Sequence, residues 1–260
     1  MTTMGEAGRP GAWADEPATG TTATSAAGAG GAAAGEAVQG GAPGPLLGSG
    51  RTADVYALGD GWVLRRDRRG YGDAAAEGAV MAHLRRHGYP VPAVRPSASR
   101  TDLVTERLAG PTMLHACVAG TLGPEEAGRT LAGLLRALHA VPGRSDPATR
   151  VLHLDLHPDN VILTADGPRV IDWTNTEEGD PALDWCTSAV ILAQVAVSPH
   201  PLATPARPML AALLADPSPL TEAALAEALR RRAANPTMSA QEVELLGDAG
   251  ELVRSFLPPG

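Results

Sequence analysis

The chain has 260 residues, 44% of them apolar but only 3% aromatic, enough for one or two domains with a core built mainly from Ala, Leu and Val. Its formal net charge of −8 argues against nucleic acid or an anionic membrane as the main partner, and all 21 Lys and Arg positions hold Arg. Cys117 and Cys186 are too few for a disulfide framework, and the apolar run at residues 189–197 is too short to span a bilayer, so a cytoplasmic protein without a membrane partner is expected.

Residues 1–45 are dominated by Gly, Ala, Thr and Pro, with almost no large apolar side chains. Such a segment buries too little surface to offset the entropy that it would lose on ordering, and it lacks the basic and apolar regions of a signal peptide. We expect a disordered tail that takes no part in the fold.

Folded structure is predicted to begin at residue 46 with a strand, a tight turn and a returning strand. Gly48, Ser49 and Gly50 form the turn of this unit, which covers residues 46–56. A third strand follows and carries Arg65 near its end. Taken alone, the turn favours an ordinary hairpin, and the alternative for Arg65 is a solvated side chain.

The helix predicted over residues 73–87 carries a carboxylate, Glu77, on its apolar face. The other members of the i, i+3, i+4, i+7 pattern are apolar, namely Val80, Met81 and Leu84. A carboxylate turned toward a core needs a cation, because leaving it unpaired costs several kcal/mol. Arg65 fits that need better than the arginines of the same helix, which do not share the face of Glu77.

The remaining pattern predicts one strand followed by helices. The strand covers residues 102–106, and a helix starts at Pro124 with acidic residues in its first turn. Further helices are predicted at residues 184–197, 208–214, 221–235 and 240–256.

The central stretch of the chain has polar residues in a spacing typical of phosphoryl transfer. His153, Asp155 and Asn160 follow the pattern H-x-D-L-x-P-x-N, and Asp172 ends the next pair of apolar segments. Kinases use H-R-D-L-x-x-x-N followed by a magnesium-binding Asp. Two short strands with a turn at residues 164–168 bring Asn160 and Asp172 back to the same end. The alternative is a polar turn followed by an ordinary hairpin.

This stretch resembles the small-molecule branch of the kinase-like enzymes, the aminoglycoside phosphotransferase and choline kinase family. His157 stands where protein kinases usually carry Lys, as in the H-x-D-x-H-P-x-N of that branch. Residues 179–185, GDPALDW, resemble the G-D-P-x-x-D segment of the family. Leu154 and Asp159 depart from the family, which often has Gly at both positions, so the loop geometry is expected to differ slightly.

The resemblance implies an α+β, two-lobed protein-kinase-like fold, with a small antiparallel β-rich N-lobe at residues 46–109 and a larger α-helical C-lobe at residues 110–260. Asp184 resembles the structural Asp that holds the catalytic loop by backbone hydrogen bonds, and the alternative is a simple helix N-cap. His153 is expected to pack under the loop, whereas His157 either lines the active site or is a loop residue. A zinc site at these histidines lacks a third ligand with the usual spacing.

The resemblance also implies roles for the candidate site residues. Asp155 would accept or orient the hydroxyl proton of the acceptor, and Asn160 and Asp172 would hold Mg²⁺. Arg65, in the position of the kinase Lys, would contact the phosphates of ATP and pair with Glu77. The nucleotide would further be bound by the turn and by backbone groups of the hinge, that is by Gly48, Ser49, Gly50, Glu106 and Leu108.

The prediction for function is an ATP-dependent phosphotransferase that moves the γ-phosphate to a hydroxyl of a small molecule, an aminoglycoside-like or amino-alcohol acceptor. A nucleotide-binding protein that has lost catalysis is the alternative, because position 65 has no Lys. A protein kinase is disfavoured by His157 and by the lack of an A-P-E segment after Asp172.

Three acidic residues follow the predicted metal ligand, namely Glu177, Glu178 and Asp180. They are candidates for attracting an amine-bearing substrate. We favour the interpretation that they form a solvated turn in which Asp180 is structural.

Overall fold

A computed structural model of the chain describes residues 43–50, 52–70, 72–216 and 219–257. Its first part contains the strands β1 (Leu46–Ser49), β2 (Ala53–Leu58), β3 (Trp62–Asp67), β4 (Val94–Arg95) and β5 (Asp102–Glu106). These strands form one sheet in the order β1-β2-β3-β5-β4, and every neighbouring pair is antiparallel.

Most of the tail predicted over residues 1–45 lies outside the described residues, but its last residues belong to the sheet. The Gly44 N–H donates to the Ala57 carbonyl at 3.0 Å, and the Ala57 N–H donates to the Pro45 carbonyl at 2.9 Å. These bonds extend the pairing of β1 with β2, so the pairing starts before residue 46.

Helix α1 (Ala74–Arg86) connects β3 to β4 and covers one face of the sheet. Asp73 caps it by accepting a hydrogen bond from the Ala76 N–H at 3.0 Å. Its buried residues include Glu77 and the apolar side chains at the spacing predicted from the sequence. Gly78 packs against Leu103 of β5, so α1 is held directly on the strand that neighbours β3.

The helices α2 (Met113–Val118), α3 (Pro124–His139), α4 (Pro181–Val197), α5 (Ala203–Leu213), α6 (Glu222–Ala233), α7 (Ala240–Glu244) and α8 (Leu246–Arg254) make up most of the second part. The helix α4 lies in the middle of this part, in contact with α5, α6 and α8, and it is buried on almost all sides. No helix among the described residues is long and apolar enough to cross a membrane.

Two small antiparallel pairs lie between the sheet and these helices. Strand β6 (Arg150–Leu152) pairs with β9 (Glu177–Gly179), and β7 (Val161–Thr164) pairs with β8 (Gly167–Val170). A short 3₁₀ helix at Pro158–Asn160 precedes β7. The turn predicted at residues 164–168 is therefore shorter than expected, because β8 already starts at Gly167, and the solvated turn predicted around Glu177 is wrong, because this segment is a strand.

Three helix boundaries differ from the prediction. Helix α4 begins at Pro181 rather than at residue 184, because Asp180 caps it and proline suits the first helical position. Helix α5 begins at residue 203 and contains Pro208 inside its span. The last predicted helix is divided into α7 and α8, and near the division the side-chain amide of Gln194 donates to the Glu242 carbonyl at 2.5 Å.

The architecture predicted from the sequence is confirmed. A small antiparallel sheet with one helix precedes a larger helical part, and the segment that contains His153, Asp155 and Asn160 follows α3 within that larger part. The apolar core follows the same division, since α1 and β5 contribute to it from one side and α3, α4 and α5 from the other.

Candidate active site

The β7–β8 hairpin brings Asn160 and Asp172 to the same end, as predicted. Val161 pairs with Val170 at the open end of the hairpin, and the Ile171 N–H donates to the Asn160 carbonyl at 3.0 Å. Asn160 is therefore held one residue before the first strand and Asp172 two residues after the second. This placement follows from the antiparallel register, which sets residues on either side of the turn opposite one another.

The loop around Asp155 is fixed by its own backbone and by a buried histidine. The Asp155 N–H donates to Nδ1 of His153 at 3.2 Å, so the other ring nitrogen, Nε2, carries the proton and donates to the Ile171 carbonyl at 3.0 Å. The side-chain amide of Asn160 donates to the Asp155 carbonyl at 2.9 Å. His153 is fully buried, so the prediction that it packs under the loop is confirmed.

Asp184 anchors the same loop through hydrogen bonds from the loop backbone to its carboxylate. Its carboxylate is fully buried and accepts hydrogen bonds from the N–H groups of His153 at 2.9 Å and Leu154 at 2.7 Å, and from Nε2 of His139 at 3.0 Å. The predicted anchoring role is confirmed, and the N-cap alternative is wrong because Asp180 caps α4. Leu154 has φ +60°, a left-handed backbone that favours glycine, and the bond from its N–H to Asp184 helps to keep it there.

His157 faces Asp155 without forming a close contact. It caps the 3₁₀ helix, where Nδ1 accepts from the Asp159 N–H at 3.3 Å, and its Nε2 lies 4.0 Å from Oδ1 of Asp155. Burial lowers the pKa of His157 to about 4. The imidazole is therefore neutral near pH 7 and adds no positive charge beside Asp155.

Arg65 links the sheet, α1 and the segment after β8. Its guanidinium forms an ion pair with Glu77, and its Nη1 donates to Oδ1 of Asp172 at 3.2 Å and to the Thr174 hydroxyl at 3.1 Å. The other oxygen of Glu77 accepts the Trp173 N–H at 3.2 Å. The pairing of Arg65 with Glu77 predicted from the helix face is present, and the contact with Asp172 is an addition that the sequence did not indicate.

These contacts shift the pKa values of Asp172 and Glu77 in opposite directions. Burial would raise the pKa of Asp172, but the charge of Arg65 and the hydrogen bond from Thr174 outweigh it, so the net shift is downward. For Glu77, burial is the largest effect and raises the pKa, Asp172 raises it further, and Arg65 opposes both without cancelling them. Asp172 is thus stabilised as an anion, whereas the charge on Glu77 is costly.

The glycine turn lies between β1 and β2 and is tied down by an arginine. Gly48 and Ser49 end β1, and the Ser49 hydroxyl donates to Asp54 at 2.6 Å. Arg68 donates to the same carboxylate at 3.1 Å and also to the Gly50 carbonyl. Sequence reasoning missed Arg68, because its approach to the turn depends on how β3 continues beside β2.

The hinge residues are already engaged by the sheet. The Glu106 N–H donates to the Ala93 carbonyl at 2.9 Å, and its carboxylate accepts the Ala93 N–H at 3.1 Å and lies 3.9 Å from Arg85. Leu108 follows β5 and is half-buried. The side chain of Glu106 is therefore used to join β5 to the segment before β4.

Residues that share a face with Arg65 were also missed. Val55 and Leu103 pair directly with Arg65, and Val63 pairs with Thr105 two residues away on the same face. Val55, Val63 and Thr105 are half-buried and lie beside Arg65 on this face of the sheet. Strand alternation counted from Arg65 was the signal that could have found them.

The donor set fits a magnesium ion that arrives with a nucleotide. Asp172 uses Oδ1 for the side chains of Arg65 and Thr174, and Asn160 uses its amide nitrogen for the Asp155 carbonyl. Among the described residues, no side-chain donor engages Asp172 Oδ2 or Asn160 Oδ1. The described part of the chain contains no group of three His, Cys, Asp or Glu side chains that could hold a metal. Two oxygens completed by phosphates and water are the coordination that Mg²⁺ favours.

The three acidic residues after Asp172 all have structural partners. Glu177 pairs with Arg231 at 2.8 Å, and Glu178 accepts the N–H groups of residues 144–145 at 2.9 Å. Asp180 caps α4. The preferred structural interpretation of Asp180 is therefore confirmed, and Glu177 and Glu178 also have partners within the fold.

A cavity of about 540 Å³ lies behind Glu77, between α1 and residues 144–149 and 173–178. Asp155 and Asn160 do not line it. Glu77 and Thr174 do line it, so the cavity adjoins the charged cluster around Arg65.

Comparison with known proteins identifies the architecture. A model of the phosphotransferase enzyme family matches residues 44–152 and 144–222, more than half of the chain. The choline kinase LicA from Streptococcus pneumoniae is similar in structure, with a TM-score of 0.53 at 12% identity, covering 80% of this chain and 91% of that one. The aminoglycoside phosphotransferase APH(4)-Ia gives a TM-score of 0.56 at 16% identity, covering 81% and 93%. At such identities the likeness to these two structures shows the fold alone.

One similarity to a curated protein covers a short segment. The thiamine kinase of Salmonella paratyphi B is 52% identical over 33 residues, which are 13% of this chain. The match spans only 12% of the length of that protein.

Proposed function

The chain belongs to the phosphotransferase enzyme family, and on that basis we propose that it transfers the γ-phosphoryl group of ATP to a hydroxyl group of a small molecule. The acceptor class that we propose is an aminoglycoside-like molecule or an amino-alcohol. The similarity to a choline kinase and to an aminoglycoside phosphotransferase supports this class.

One observation carries the proposal, a continuous chain of hydrogen bonds through the candidate residues. The side-chain amide of Asn160 donates a hydrogen bond to the Asp155 carbonyl at 2.9 Å. The Asn160 carbonyl accepts one at 3.0 Å from the N–H of Ile171, the residue before Asp172. Asp172 is bonded in turn to Arg65 at 3.2 Å. A base, two metal ligands and a phosphate-binding cation would thus be held in one geometry, which is what phosphoryl transfer requires.

The proposed reaction assigns a separate task to each group. Asp155 accepts the proton of the acceptor hydroxyl while that oxygen bonds to the γ-phosphorus, and the bond from the γ-phosphorus to the bridging oxygen breaks to leave ADP. Asn160 and Asp172 would hold Mg²⁺, which supplies neutralisation of the phosphate charge. Arg65 would donate to the phosphates from β3, with Glu77 fixing its direction.

The nucleotide would lie under the first three strands. The backbone of Gly48, Ser49 and Gly50 would cover the phosphates, while the base would lie against the apolar face around Val63 and meet backbone groups at Glu106 and Leu108. Because the Glu106 N–H already donates to Ala93, the Leu108 N–H is the better candidate donor to the base.

A nucleotide-binding protein without catalysis is the second candidate, and one contact favours it. Arg65 donates to Asp172 at 3.2 Å, so one oxygen of the proposed metal ligand is engaged by a permanent cation. If nucleotide binding does not draw Arg65 toward the phosphates, the metal would be bound weakly and transfer would be slow.

Incubation with Mg²⁺, ATP labelled at the γ-phosphate and a panel of acceptors tests the proposal. The panel contains aminoglycosides, choline, ethanolamine, thiamine and simple sugars. We expect phosphate to appear on at least one acceptor, and Asp155→Ala to lower the rate by about 10²–10⁴-fold, because general-base catalysis contributes that much. Asp166→Ala, in the exposed turn of the same hairpin, is the matched control and should keep the wild-type rate.

The outcomes separate the two candidates. Transfer that survives Asp155→Ala contradicts the role of Asp155 as the base. ATP binding without transfer to any acceptor, and without dependence on Mg²⁺, supports the non-catalytic alternative. A protein that binds no ATP contradicts both.

A further inference from the structure

Thr174 lies at the junction of the two charged groups that most influence the proposed metal site. Its hydroxyl donates to Oδ1 of Asp172 at 2.7 Å and accepts from Nη1 of Arg65 at 3.1 Å. The same nitrogen of Arg65 also donates to Oδ1 of Asp172 at 3.2 Å. The three side chains therefore form a closed ring of hydrogen bonds, with Thr174 as its neutral member.

The position of Asp172 makes such a support useful. Asp172 has φ +62°, a left-handed backbone that a residue with a Cβ atom adopts only when its surroundings hold it there. The carboxylate on this backbone can still rotate about its side-chain bonds. Two side-chain donors on Oδ1 restrict that rotation, and neither of them engages Oδ2.

The two donors on Oδ1, Arg65 and the Thr174 hydroxyl, differ in charge and in freedom to move. Arg65 brings charge, and it would have to share its donors with the phosphates once a nucleotide is bound. The Thr174 hydroxyl brings no charge and keeps its direction, because it belongs to the same short segment as Asp172. When Arg65 turns toward a phosphate, the Thr174 hydroxyl is the contact that remains on Oδ1.

We propose that Thr174 is a positioning residue of the metal site, which restrains the Asp172 carboxylate so that it would be ready to hold the cation while Arg65 is free to move to the phosphates. This inference rests on the proposed function in one respect, that Asp172 is a metal ligand. Groups that orient metal ligands in this way change metal affinity by about 10–100-fold when they are removed.

The substitution Thr174→Val removes the hydroxyl and keeps the branched shape, and Thr174→Ser keeps the hydroxyl. Mn²⁺ binding in the presence of ATP is followed by electron paramagnetic resonance, and ATP binding without metal is followed by calorimetry. We expect Thr174→Val to weaken Mn²⁺ binding by about tenfold or more with little change in metal-free ATP binding. Thr174→Ser should stay within about twofold of wild type, since it restores the donor.

The control for the exchange of threonine by valine is Thr130→Val. The Thr130 hydroxyl donates to the Glu126 carbonyl at 2.9 Å within α3, away from the ring formed by Asp172, Thr174 and Arg65. Unchanged Mn²⁺ binding in this variant, with thermal unfolding measured for all variants, separates a local effect from a general loss of stability.

Two results would overturn the proposal. Either Thr174→Val binds Mn²⁺ as tightly as wild type, or Thr174→Ser is as impaired as Thr174→Val. Asp172→Asn distinguishes the levels of failure. If Asp172→Asn loses Mn²⁺ binding while Thr174→Val does not, only the role of Thr174 is wrong. If Asp172→Asn keeps Mn²⁺ binding, the metal role of Asp172 in the proposed function is wrong as well.

Discussion

Glu77 lies almost fully buried on α1, between the Arg65 guanidinium and the Trp173 N–H. A carboxylate in this position serves to orient Arg65, but its charge is only partly compensated, since burial and the nearby Asp172 raise its pKa. Ionised Glu77 therefore lowers the stability of the fold, but it also holds the Arg65 guanidinium in one direction. Such conflicts are expected at functional sites.

The pH dependence of stability should reveal this cost. The folded-state pKa of Glu77 lies above the ordinary value of 4.5, so the folded state binds its proton more tightly than the unfolded state. As the pH rises from about 4.5 through the folded-state pKa, Glu77 contributes a decrease in the free energy of unfolding. Urea unfolding of wild type and Glu77→Gln over this range should show the variant gaining relative stability as pH rises. A difference that is constant or shrinks with pH would contradict the assignment.

Loss of the charge at Asp184 should lower the free energy of unfolding far more than the same change at Asp180, the N-cap of α4. Asp184→Asn replaces a buried acceptor of three hydrogen bonds with a group that has one oxygen and turns an N–H₂ toward a donor. We expect it to lower the free energy of unfolding by about 2–4 kcal/mol. Asp180→Asn is the control and should change it by less than about 0.5 kcal/mol, since Asn and Asp are equal N-caps. Equal losses in the two variants, measured by denaturant unfolding, would show that Asp184 is only a helix cap.

At the scale of secondary-structure elements, the contact between α3 and α5 depends on a glycine. A Cβ atom at Gly128 would lie 2.2 Å from the Met209 carbonyl oxygen and 2.8 Å from Ala212 Cβ. The two helices can therefore approach closely only because this position lacks a side chain. The same contact supports α3, which provides His139 to Asp184 under the catalytic loop.

Two glycines of α3 should respond in opposite ways to alanine. Gly128→Ala should lower the free energy of unfolding by about 1–3 kcal/mol, because overpacking outweighs the gain in helix propensity. Gly133 is exposed with no atom within 4 Å of an added Cβ, so Gly133→Ala should raise stability by about 0.5–1 kcal/mol. Thermal and denaturant unfolding of both variants checks this, and stabilisation by Gly128→Ala would contradict the packing of α3 on α5.

For the whole molecule, Arg65 is the main polar connection between the sheet and the segment after β8. Its contacts with Asp172 and Thr174 join β3 to residues more than one hundred positions later in the chain. A nucleotide bound with Mg²⁺ at this place would contact both parts and so stabilise the folded state as a unit.

Thermal unfolding with ligands tests this connection. At a Mg–ATP concentration of about 100 times Kd, the folded state should gain about 2.7 kcal/mol, seen as a higher Tm. ATP with a chelator should give a smaller shift at the same concentration, because Asn160 and Asp172 would have no metal to bind. Equal shifts with and without Mg²⁺ would contradict a metal site made by these two residues.

Much of the candidate site could be predicted because its parts are local in the sequence. The spacing from His153 to Asp172 encodes a loop and a hairpin, and short-range hydrogen bonds within those residues determine how it folds. The helix face of Glu77 was readable for the same reason, since side-chain periodicity in a helix does not depend on distant residues.

The parts that were missed depend on contacts between distant segments. Strand β9 forms because residues 177–179 meet β6, and the segment where α7 gives way to α8 is contacted by Gln194 of α4 through the Glu242 carbonyl. Arg68 and Thr174 were missed as well, since each acts through a partner far away in sequence or through a ring of three side chains.

From the sequence alone came the fold class, through the family resemblance of residues 151–185, and the need of Glu77 for a cation, through helix periodicity. The candidate residues of the loop around Asp155 were likewise found from their spacing within one short segment. The tertiary structure alone decided that Arg65 contacts Asp172 as well as Glu77, that Thr174 completes the ring, and that Asp184 anchors the loop rather than capping a helix. The physical reason is that the strength of a side-chain contact depends on distance and burial, and both are set only when the sheet and the helices pack together.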